Sequence, residues 1–579
     1  ATDPADEQGV TATAEAPTAE SRLSRVWNRP LRHHALVLGL LLLALLPWLG
    51  SSRLFSSDEG ALQMQTHLLS EGRGWYLDHP RPDLDPTGEL FLSHLTLDDD
   101  HPDEGAPFAK HPVYAVGLAP LDGLGGKPVM VLTSLAGTVL AALAATRLAR
   151  AIRPGTERWA LWAVGLASPA LLYGYVLIAH TPAAALAALA VVLAVGRADR
   201  RSHLVGLAAA LALAVTLRSE ALLFGMALAV ACVVGAWLHR QRRLVLAGGA
   251  ALAGVVVGKL VDRELADLIA SGEGTVNPVA SSGSGDFLAD RIHSATLTWL
   301  VPSYEGFGLD DLLLAAAAVF GVIAVVIARR RPEDDAGIRL FGGIAVLCAV
   351  GRLALPASSV PGLLVAFPLL TVGLAALGRR TVTRNVAATV ATVVFVVFSL
   401  AIFATQYRDG GSGEWGGRYF LLGIPVVVPV VLAALAEVGE RLTVSTRRTV
   451  LAMAVVGSLA LAACSALALS AKQWQDERAV DAVEAALADE PDAVVVGTDG
   501  LGARYGWRHL VDGEEWFVAD TPELLRELGG RLADEGRPLV LWTVEEDEST
   551  AALAGDYEVV ERRRPNAGSA RTVLSLVPR

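Results

Sequence analysis

The sequence predicts a polytopic α-helical membrane protein that ends in a small α/β domain. Of its 579 residues, 53% are hydrophobic and only 19% are charged, whereas soluble domains carry about 25% charged residues. The apolar residues gather in runs of about 17–22, the length that crosses about 30 Å of hydrocarbon. These runs stop before residues 471–579, where strand-like and helix-like segments alternate instead. Such alternation is typical of an α/β fold.

Each apolar run predicts a transmembrane helix, because lipid offers no hydrogen-bond partner to a bare backbone. About thirteen spans of the required length fit the sequence. They are residues 34–51, 127–147, 158–178, 181–196, 203–217, 220–238, 243–261, 310–328, 338–355, 359–377, 385–405, 418–436 and 449–470. Residues 203–238 leave open whether two spans or one broken unit form there. Residues 34–470 are thus predicted to form a membrane domain.

The arginines predict the orientation of the chain. Every second loop carries at least three of them, at residues 147–158, 197–201, 240–243, 329–331, 379–384 and 441–448. Since short cytoplasmic loops are enriched in Lys and Arg, these loops and residues 1–33 are predicted to be cytoplasmic. The polar, Pro-, Ala- and Glu-rich residues 1–33 predict a disordered tail. No small-residue cleavage site follows the run Leu36 to Gly50, so this run predicts a retained helix rather than a signal peptide.

The remaining segments are predicted to lie outside the cell. The membrane is predicted to be a prokaryotic plasma membrane. The first outer loop, 52–112, carries twelve acidic residues against four basic ones. Because the loops alternate between the two sides, residues 262–309 and 406–417 are predicted to be further outer loops. The odd number of spans places the C-terminal domain, 471–579, outside as well. The net charge is −12, and the absence of a basic patch outside the cytoplasmic loops excludes nucleic-acid binding. Cys232, Cys348 and Cys464 all lie in apolar runs, which excludes a disulfide framework or a zinc site.

In the C-terminal domain, four strands are predicted at Ala493–Val496, Leu539–Val544, Glu558–Val560 and Thr572–Val577. Helices are predicted at Ala479–Ala488 and Pro522–Glu535. The segment Gly497–Gly502, GTDGLG, follows a strand but matches neither the dinucleotide-binding nor the Walker pattern. We interpret it as a strand-to-loop turn.

An acidic pair, Asp58 and Glu59, opens the first outer loop and is the candidate catalytic site. Residues 61–70 can form an amphipathic helix that would hold the pair at a fixed height on the membrane. A carboxylate there could accept the proton of a hydroxyl that attacks an activated sugar. A solvated acidic surface is the alternative interpretation.

Basic residues at the predicted outer ends of the helices are candidates for binding a phosphate. Guanidinium groups bind phosphate in a bidentate manner, and ionisable residues within membrane domains tend to mark functional sites. The alternative is that each side chain extends to the interface without a ligand. The candidates are Lys110, His111, Arg218, Arg352 and Arg418, with Tyr419 beside the last.

The order of four motifs resembles the GT-C superfamily of membrane glycosyltransferases, with protein O-mannosyltransferases and lipid A aminoarabinose transferases as the most similar groups. An acidic pair follows the first helix, and Lys110 to Tyr114 is similar to the family's His-Pro-Pro-x-Tyr, with Val113 in place of its second proline. Ser168 and Pro169 lead to Tyr173, Tyr175 and His180-Thr-Pro182. Gly413 to Tyr419 is similar to the family's Gly-Gly-Trp-x-x-Gly-x-Arg-Tyr.

The resemblance covers residues 34–470 and implies a polyprenyl-phosphate-linked sugar as donor and an envelope glycan, lipid or protein as acceptor. It implies that Asp58 is the catalytic base and that Lys110, His111 and Arg418 contact the donor phosphate. A divalent cation, Mg²⁺ or Mn²⁺, is the one cofactor left open, because Asp98 to His101 offer carboxylate oxygens in an inserted acidic segment. A solvated acidic loop is the alternative there.

A transporter or flippase of a lipid-linked substrate is the main competing function. Transporters often show internal repeats and helices that are broken at the membrane midplane. The sequence shows no convincing repeat, and its ionisable residues gather at the outer ends of the helices. A third possibility is a scaffold protein without enzymatic activity. In that case Asp58 and the outer arginines could be replaced without loss of function.

Overall fold

Helices dominate the part of the chain that the structure describes. The computed structural model describes residues 27, 29–50, 53–86, 88, 90–91, 96–98, 101–106, 111–196, 200–269, 287–300, 308–356, 361–406, 415–499, 502–565 and 571–579. Apolar helices up to Asp489 are followed by a five-stranded sheet with flanking helices. The predicted class, a helical membrane protein with a C-terminal α/β domain, is confirmed.

Eighteen α-helices precede the C-terminal sheet in the described residues, and we number them in chain order. They are α1 Leu31–Leu49, α2 Ser57–Ser70, α3 Pro112–Ile152, α4 Glu157–Gly165, α5 Ala170–Tyr173, α6 His180–Val195, α7 Arg201–Leu217, α8 Glu220–His239, α9 Arg243–Ile269, α10 Phe287–Trp299, α11 Leu309–Arg330, α12 Asp335–Gly351, α13 Leu363–Ala366, α14 Pro368–Ala376, α15 Arg379–Val382, α16 Val386–Thr405, α17 Ile424–Gly439 and α18 Val444–Asp489. Single 3₁₀ segments lie at Arg352–Ala354 and Arg418–Gly423.

Helical structure coincides with every predicted span, but four spans are divided. One of them passes into the 3₁₀ segment Arg352–Ala354, and the other three are divided near a proline. The breaks fall next to Pro169 before α5, Pro368 at the start of α14 and Pro425 in the first turn of α17. Proline lacks the N–H group that a continuous helix needs. Residues 203–238 form two separate helices, α7 and α8. Among the described residues, nine helices are long and apolar enough to cross a membrane, so the number of spans stays a prediction.

Helix α3 is interrupted near its middle. Gly125 and Gly126 have non-helical backbone angles, and the φ of Gly126 is +64°, in the left-handed region that glycine adopts without strain. The part after this break corresponds to the predicted span 127–147. Helical structure begins at Pro112, before the predicted span. Proline is favourable in the first turn of a helix, where its missing N–H group needs no partner.

The C-terminal domain is a mixed sheet. Its elements are β4 Val494–Gly497, α19 Trp507–Val511, β5 Trp516–Val518, α20 Pro522–Asp534, β6 Leu539–Thr543, α21 Glu546–Leu553, β7 Tyr557–Arg563 and β8 Thr572–Pro578. The strand order is β5-β4-β6-β8-β7. Strands β5, β4 and β6 run parallel, and β8 and β7 are antiparallel to their neighbours. The four predicted strands are confirmed, and β5 was not predicted.

A second, small sheet lies in the first outer loop, where no strand was predicted. It has the order β1-β3-β2 and is antiparallel, with β1 at Leu77–Asp78, β2 at Thr96–Asp98 and β3 at His101–Ala106. The side chains of Asp98 to His101, the candidate cation ligands, lie outside the described residues.

Helix α2 connects the two domains. Met64 and Leu68 of α2 share an apolar cluster with Ala503, Trp507 and Leu510 of the C-terminal domain. The predicted helix Ala479–Ala488 is the end of α18, which continues without a break over 46 residues, or about 69 Å at 1.5 Å per residue. The C-terminal domain is therefore held both by α18 and by contact with α2.

Candidate functional site

The acidic pair lies in the first turn of α2, but its two side chains occupy different environments. Ser56 precedes the helix in an extended conformation, and Asp58 and Glu59 follow in its first turn. Negative charge is favourable at this end of a helix because the helix dipole is positive there. Successive helical residues point about 100° apart, at 3.6 residues per turn. The pair is thereby divided between a partly open position and a closed one.

Asp58 is the open member of the pair. Its Oδ2 lies 3.0 Å from Nη1 of Arg418, and its Oδ1 lies 3.8 Å from Nη1 of Arg504, while its side chain remains 33% exposed. The two guanidinium groups thus approach different oxygens of one carboxylate. Arg418 opens a 3₁₀ segment of the membrane domain, and Arg504 belongs to the loop after β4.

The electrostatics of the site keep Asp58 ionised. Burial alone would raise the pKa of the Asp58 carboxyl. The charges of Arg418 and Arg504, with a smaller contribution from Arg218, outweigh burial and hold this pKa below the ordinary value of 3.8. Asp58 is therefore a carboxylate throughout the neutral pH range.

Two glycines fix the position of Arg418. Gly416 and Gly417 have φ angles of +72° and +64°, which side chains rarely adopt. A Cβ atom at Gly416 would lie 2.5 Å from Cγ of Pro169, and one at Gly417 would lie 2.7 Å from the carbonyl oxygen of Thr298. The turn therefore needs glycine at both positions for its conformation and for its close packing.

The residues around this turn anchor it to the helical bundle. The Tyr173 hydroxyl donates a hydrogen bond of 2.9 Å to the carbonyl of Trp415, which is buried. The Tyr419 hydroxyl lies 3.4 Å from Nη2 of Arg418, and its ring lies 5.1 Å from the Arg418 guanidinium carbon. The motif that the sequence singles out thus holds Arg418 over Asp58.

Arg218 and His111 form a second group on the same side of the site. Arg218 makes a two-pronged ion pair with Glu220, at 3.0 and 2.6 Å, and lies within electrostatic range of Asp58 and Arg418. Nε2 of His111 accepts a hydrogen bond of 3.2 Å from the amide of Ser219, next to Arg218.

The other His111 nitrogen, Nδ1, lies 3.2 Å from Asp262 Oδ1, and Asp262 pairs with Lys259 at 3.2 Å. Both ring nitrogens of His111 are therefore engaged within the protein. This arrangement favours a role for His111 in connecting α3, α8 and α9 over the direct phosphate contact that the sequence predicts. Lys110 lies outside the described residues.

Glu59 occupies the closed position, where its carboxylate has protein partners. Its side chain is 0% exposed and lies 3.0 Å from Nζ of Lys127, itself 2% exposed. It also accepts hydrogen bonds from the amides of Phe55 and Leu177. The sequence predicts a catalytic role for Glu59, which would require access to a substrate. In the structure, no face of this carboxylate is open to one.

Arg352 also departs from the expectation. Its Nη2 lies 3.0 Å from Oδ2 of Asp310, with both side chains at most 4% exposed, and its Nη1 donates to the carbonyl of Leu355. Among the described residues, no contact joins Arg352 to Asp58 or Arg418. The structure therefore places Arg352 in a buried ion pair between α11 and the 3₁₀ segment that follows α12.

Two residues of the site were not found by sequence reasoning. Arg504 lies two residues after the GTDGLG segment, which we interpreted as a strand-to-loop turn, and nothing in the sequence connects that turn to Asp58. Lys127 begins an apolar run and is the buried partner of Glu59; a lysine at the edge of a span was the only signal. Within the described residues, no group of three or more His, Cys, Asp or Glu side chains is arranged to hold a metal ion.

Comparison with known proteins gives structural matches at low identity. No family model and no curated protein matches the chain. The crystal structure of ArnT from Cupriavidus metallidurans bound to undecaprenyl phosphate is 15% identical, with a TM-score of 0.49, over 94% of this chain and 97% of ArnT. The archaeal oligosaccharyltransferase AglB from Archaeoglobus fulgidus, in complex with an inhibitory peptide and a dolichol-phosphate, is 12% identical, with a TM-score of 0.47, over 93% and 72%.

Proposed function

We propose that this protein is a membrane glycosyltransferase that moves a sugar from a polyprenyl-phosphate donor to an extracytoplasmic acceptor. The observation that carries the proposal is the Asp58 carboxylate, partly exposed and ionised, between the guanidinium groups of Arg418 and Arg504. A general base must be deprotonated and accessible. A phosphate leaving group needs fixed positive charge beside it. This cluster supplies both requirements in one place.

An apolar groove beside the cluster supports a lipid-linked donor. The groove lies between α10 and α16, has a volume of about 480 Å³, and is lined by apolar and aromatic side chains that include Trp299, Phe395 and Phe403. Trp299 packs edge-on against Phe420, with 4.7 Å between the ring centres. Phe420 lies two residues after Arg418. An isoprenoid chain in this groove would have its phosphate near the arginines.

The proposed reaction is a single displacement with inversion. The acceptor hydroxyl oxygen forms a bond to the anomeric carbon, and its proton passes to Asp58. The bond between that carbon and the phosphate oxygen breaks, and the lipid phosphate leaves with the electron pair. Because phosphate is a stable leaving group, one carboxylate suffices, in contrast to the two that glycoside hydrolysis requires.

The arginines divide the remaining tasks. We assign Arg418 as the donor-phosphate ligand because it lies two residues before Phe420, whose ring packs on Trp299 of the groove. Arg218, held by Glu220, adds positive charge from a fixed position. We place this site on the extracytoplasmic face of a plasma membrane, with the N-terminus in the cytoplasm, on the basis of the arginine-rich alternate loops. The acceptor is then an envelope glycan, lipid or protein.

Donor binding tests the proposal directly. A ligand that binds only the folded state raises its stability by mass action. Purified protein in detergent would be heated with a panel of polyprenyl-phosphate sugars, and we expect one donor to raise the Tm. Arg418→Ala should abolish the shift. Arg263→Ala is the matched control, because Arg263 is 72% exposed and pairs only with Asp267 among the described residues.

Absence of a shift with every donor, in protein that unfolds cooperatively, would contradict the proposal. Equal shifts in wild type and Arg418→Ala would contradict the assigned phosphate ligand while leaving donor binding in place.

A further inference from the structure

The loop after β4 brings one side chain of the C-terminal domain into the candidate active site. Strand β4 is central in the parallel part of the sheet, with β5 on one side and β6 on the other. The strand that follows β4 lies on one side of it and the next strand lies on the other, so the strand order switches at β4. Side chains beyond the carboxyl ends of strands at such a switch point commonly form sites. Arg504 extends from this loop and is only 4% exposed.

The backbone of this loop lies directly on the first turn of α2. A Cβ atom at Gly60 would overlap the carbonyl oxygen of Arg504 and lie 2.7 Å from its carbonyl carbon. Gly60 is two residues beyond Asp58 on the same helix. The absence of a side chain at this position is what allows Arg504 to reach the carboxylate.

Other contacts hold the two surfaces together without help from Arg504. The ring of Trp507 lies 5.4 Å from that of His67, and Arg73 of the first outer loop donates a hydrogen bond of 3.0 Å to the carbonyl of Val511. Met64 shares the apolar cluster of the C-terminal domain. Since docking is already secured, a buried guanidinium group is not needed for it.

The position of Arg504 carries an energetic penalty. Burial lowers the pKa of its guanidinium below the ordinary value, and the nearby carboxylates of Asp58 and Asp499 offset this effect only in part. A buried charge is unfavourable unless partners compensate for it. Nη1 of Arg504 lies 3.8 Å from Oδ1 of the partly exposed Asp58. A role for Arg504 in acting on this carboxylate explains why the arginine is buried there.

We infer that Arg504 is a positioning residue through which the C-terminal domain takes part in the reaction: it holds Asp58 while Arg418 turns to the donor phosphate. In the structure, Arg418 is paired with Asp58, so a bound phosphate competes with Asp58 for the same guanidinium group. Asp58 then loses one of its two arginines and becomes a stronger base when the donor is present. Arg504, on the other oxygen, keeps the carboxylate in place. The inference rests on the proposed glycosyl transfer.

The first test is the pH profile of kcat/KM for Arg504→Gln. We expect kcat to fall by about tenfold to a hundredfold, the effect of a misplaced catalytic group. The acid limb of the profile should move to higher pH, because removal of a positive charge lets the pKa of Asp58 rise. Arg504→Lys should restore the acid limb in part. The exposed Arg508, in the adjacent helix α19, provides the control Arg508→Gln, which should match wild type.

The second test does not depend on activity. The Tm values of wild type, Arg504→Gln, Asp58→Asn and the double variant form a double-mutant cycle. We expect the two single shifts not to add, because each variant already removes the same ion pair. Additive shifts would overturn the contact. Coupled Tm shifts with an unmoved acid limb would overturn the positioning role and leave a structural ion pair. If wild-type protein transfers no sugar from any donor, the proposed function fails, and the cycle still decides whether Arg504 and Asp58 interact.

Discussion

The buried pair of Glu59 and Lys127 gives a prediction that separates a structural from a catalytic role. Both side chains are at most 2% exposed and lie 3.0 Å apart. Removing one partner of a buried pair leaves an uncompensated charge, which destabilises a protein by about 3–5 kcal/mol. We therefore expect Glu59→Gln and Lys127→Met each to lower the free energy of unfolding by about this amount.

The double variant Glu59→Gln/Lys127→Met should be more stable than either single variant. It leaves no charge behind, whereas each single variant does. The glutamine oxygen can still accept one of the two amide hydrogen bonds that Glu59 accepts now, because Phe55 and Leu177 donate to different oxygens of the carboxylate. Denaturation of detergent-purified protein, followed by loss of helical circular dichroism, provides the measurement. Transfer activity would be divided by the amount of folded protein.

The structural role predicts low stability but near-normal activity per folded molecule in Glu59→Gln. Unchanged stability combined with lost activity would refute this reasoning and restore Glu59 to the catalytic position that the sequence suggested. An equal loss of unfolding free energy in all three variants would show that an uncompensated charge is not the cause of the destabilisation.

Three further predictions concern the neighbouring residues. Gly60→Ala should reduce transfer by displacing the loop of Arg504, whereas Gly439→Ala, where an added Cβ meets nothing within 4 Å, should not; equal activities would contradict the close approach. The pH profile of kcat/KM for wild type should show no acid limb from Asp58 between pH 5 and 8, a range that begins about a unit above the ordinary pKa of an aspartate. The stability that Asp58 contributes should be lost only as pH falls through its lowered folded-state pKa, below 3.8. An acid limb near neutrality would contradict the lowered pKa. Arg352→Gln should destabilise the protein yet retain the donor-induced rise in Tm, and loss of that rise in folded protein would return Arg352 to the phosphate site.

The positions of the apolar helices could be predicted because hydrophobic length is a property of each segment alone. The boundaries within spans could not, since the helices around Pro169 and Pro368 are broken by local backbone constraints that a count of apolar residues ignores. Strand β5 was missed for a similar reason. Trp516–Val518 is three residues long and directly follows Glu514 and Glu515, too short for an alternating pattern to be recognised.

The candidate site was predictable only where its parts lie in motifs. Asp58 and Arg418 were proposed separately, from an acidic pair and from a Gly-Gly-Arg-Tyr turn, and the structure joins them at 3.0 Å. Arg504 could not be found, because its role depends on the docking of one domain on another. The opposite error concerns Glu59 and Arg352. A sequence shows that a charge is present, but not that a second buried charge, Lys127 or Asp310, already neutralises it.

The central claim is that Asp58 is the base of a sugar transfer from a lipid phosphate. The most direct measurement is transfer by Asp58→Asn, beside wild type, with the donor that raises the Tm and in protein shown to be folded. A positioned general base contributes about 10²–10⁴-fold to the rate. We predict a loss of that size in kcat, while the donor still raises the Tm because Arg418 remains. Transfer by Asp58→Asn at the wild-type rate would contradict the role of Asp58 as the base.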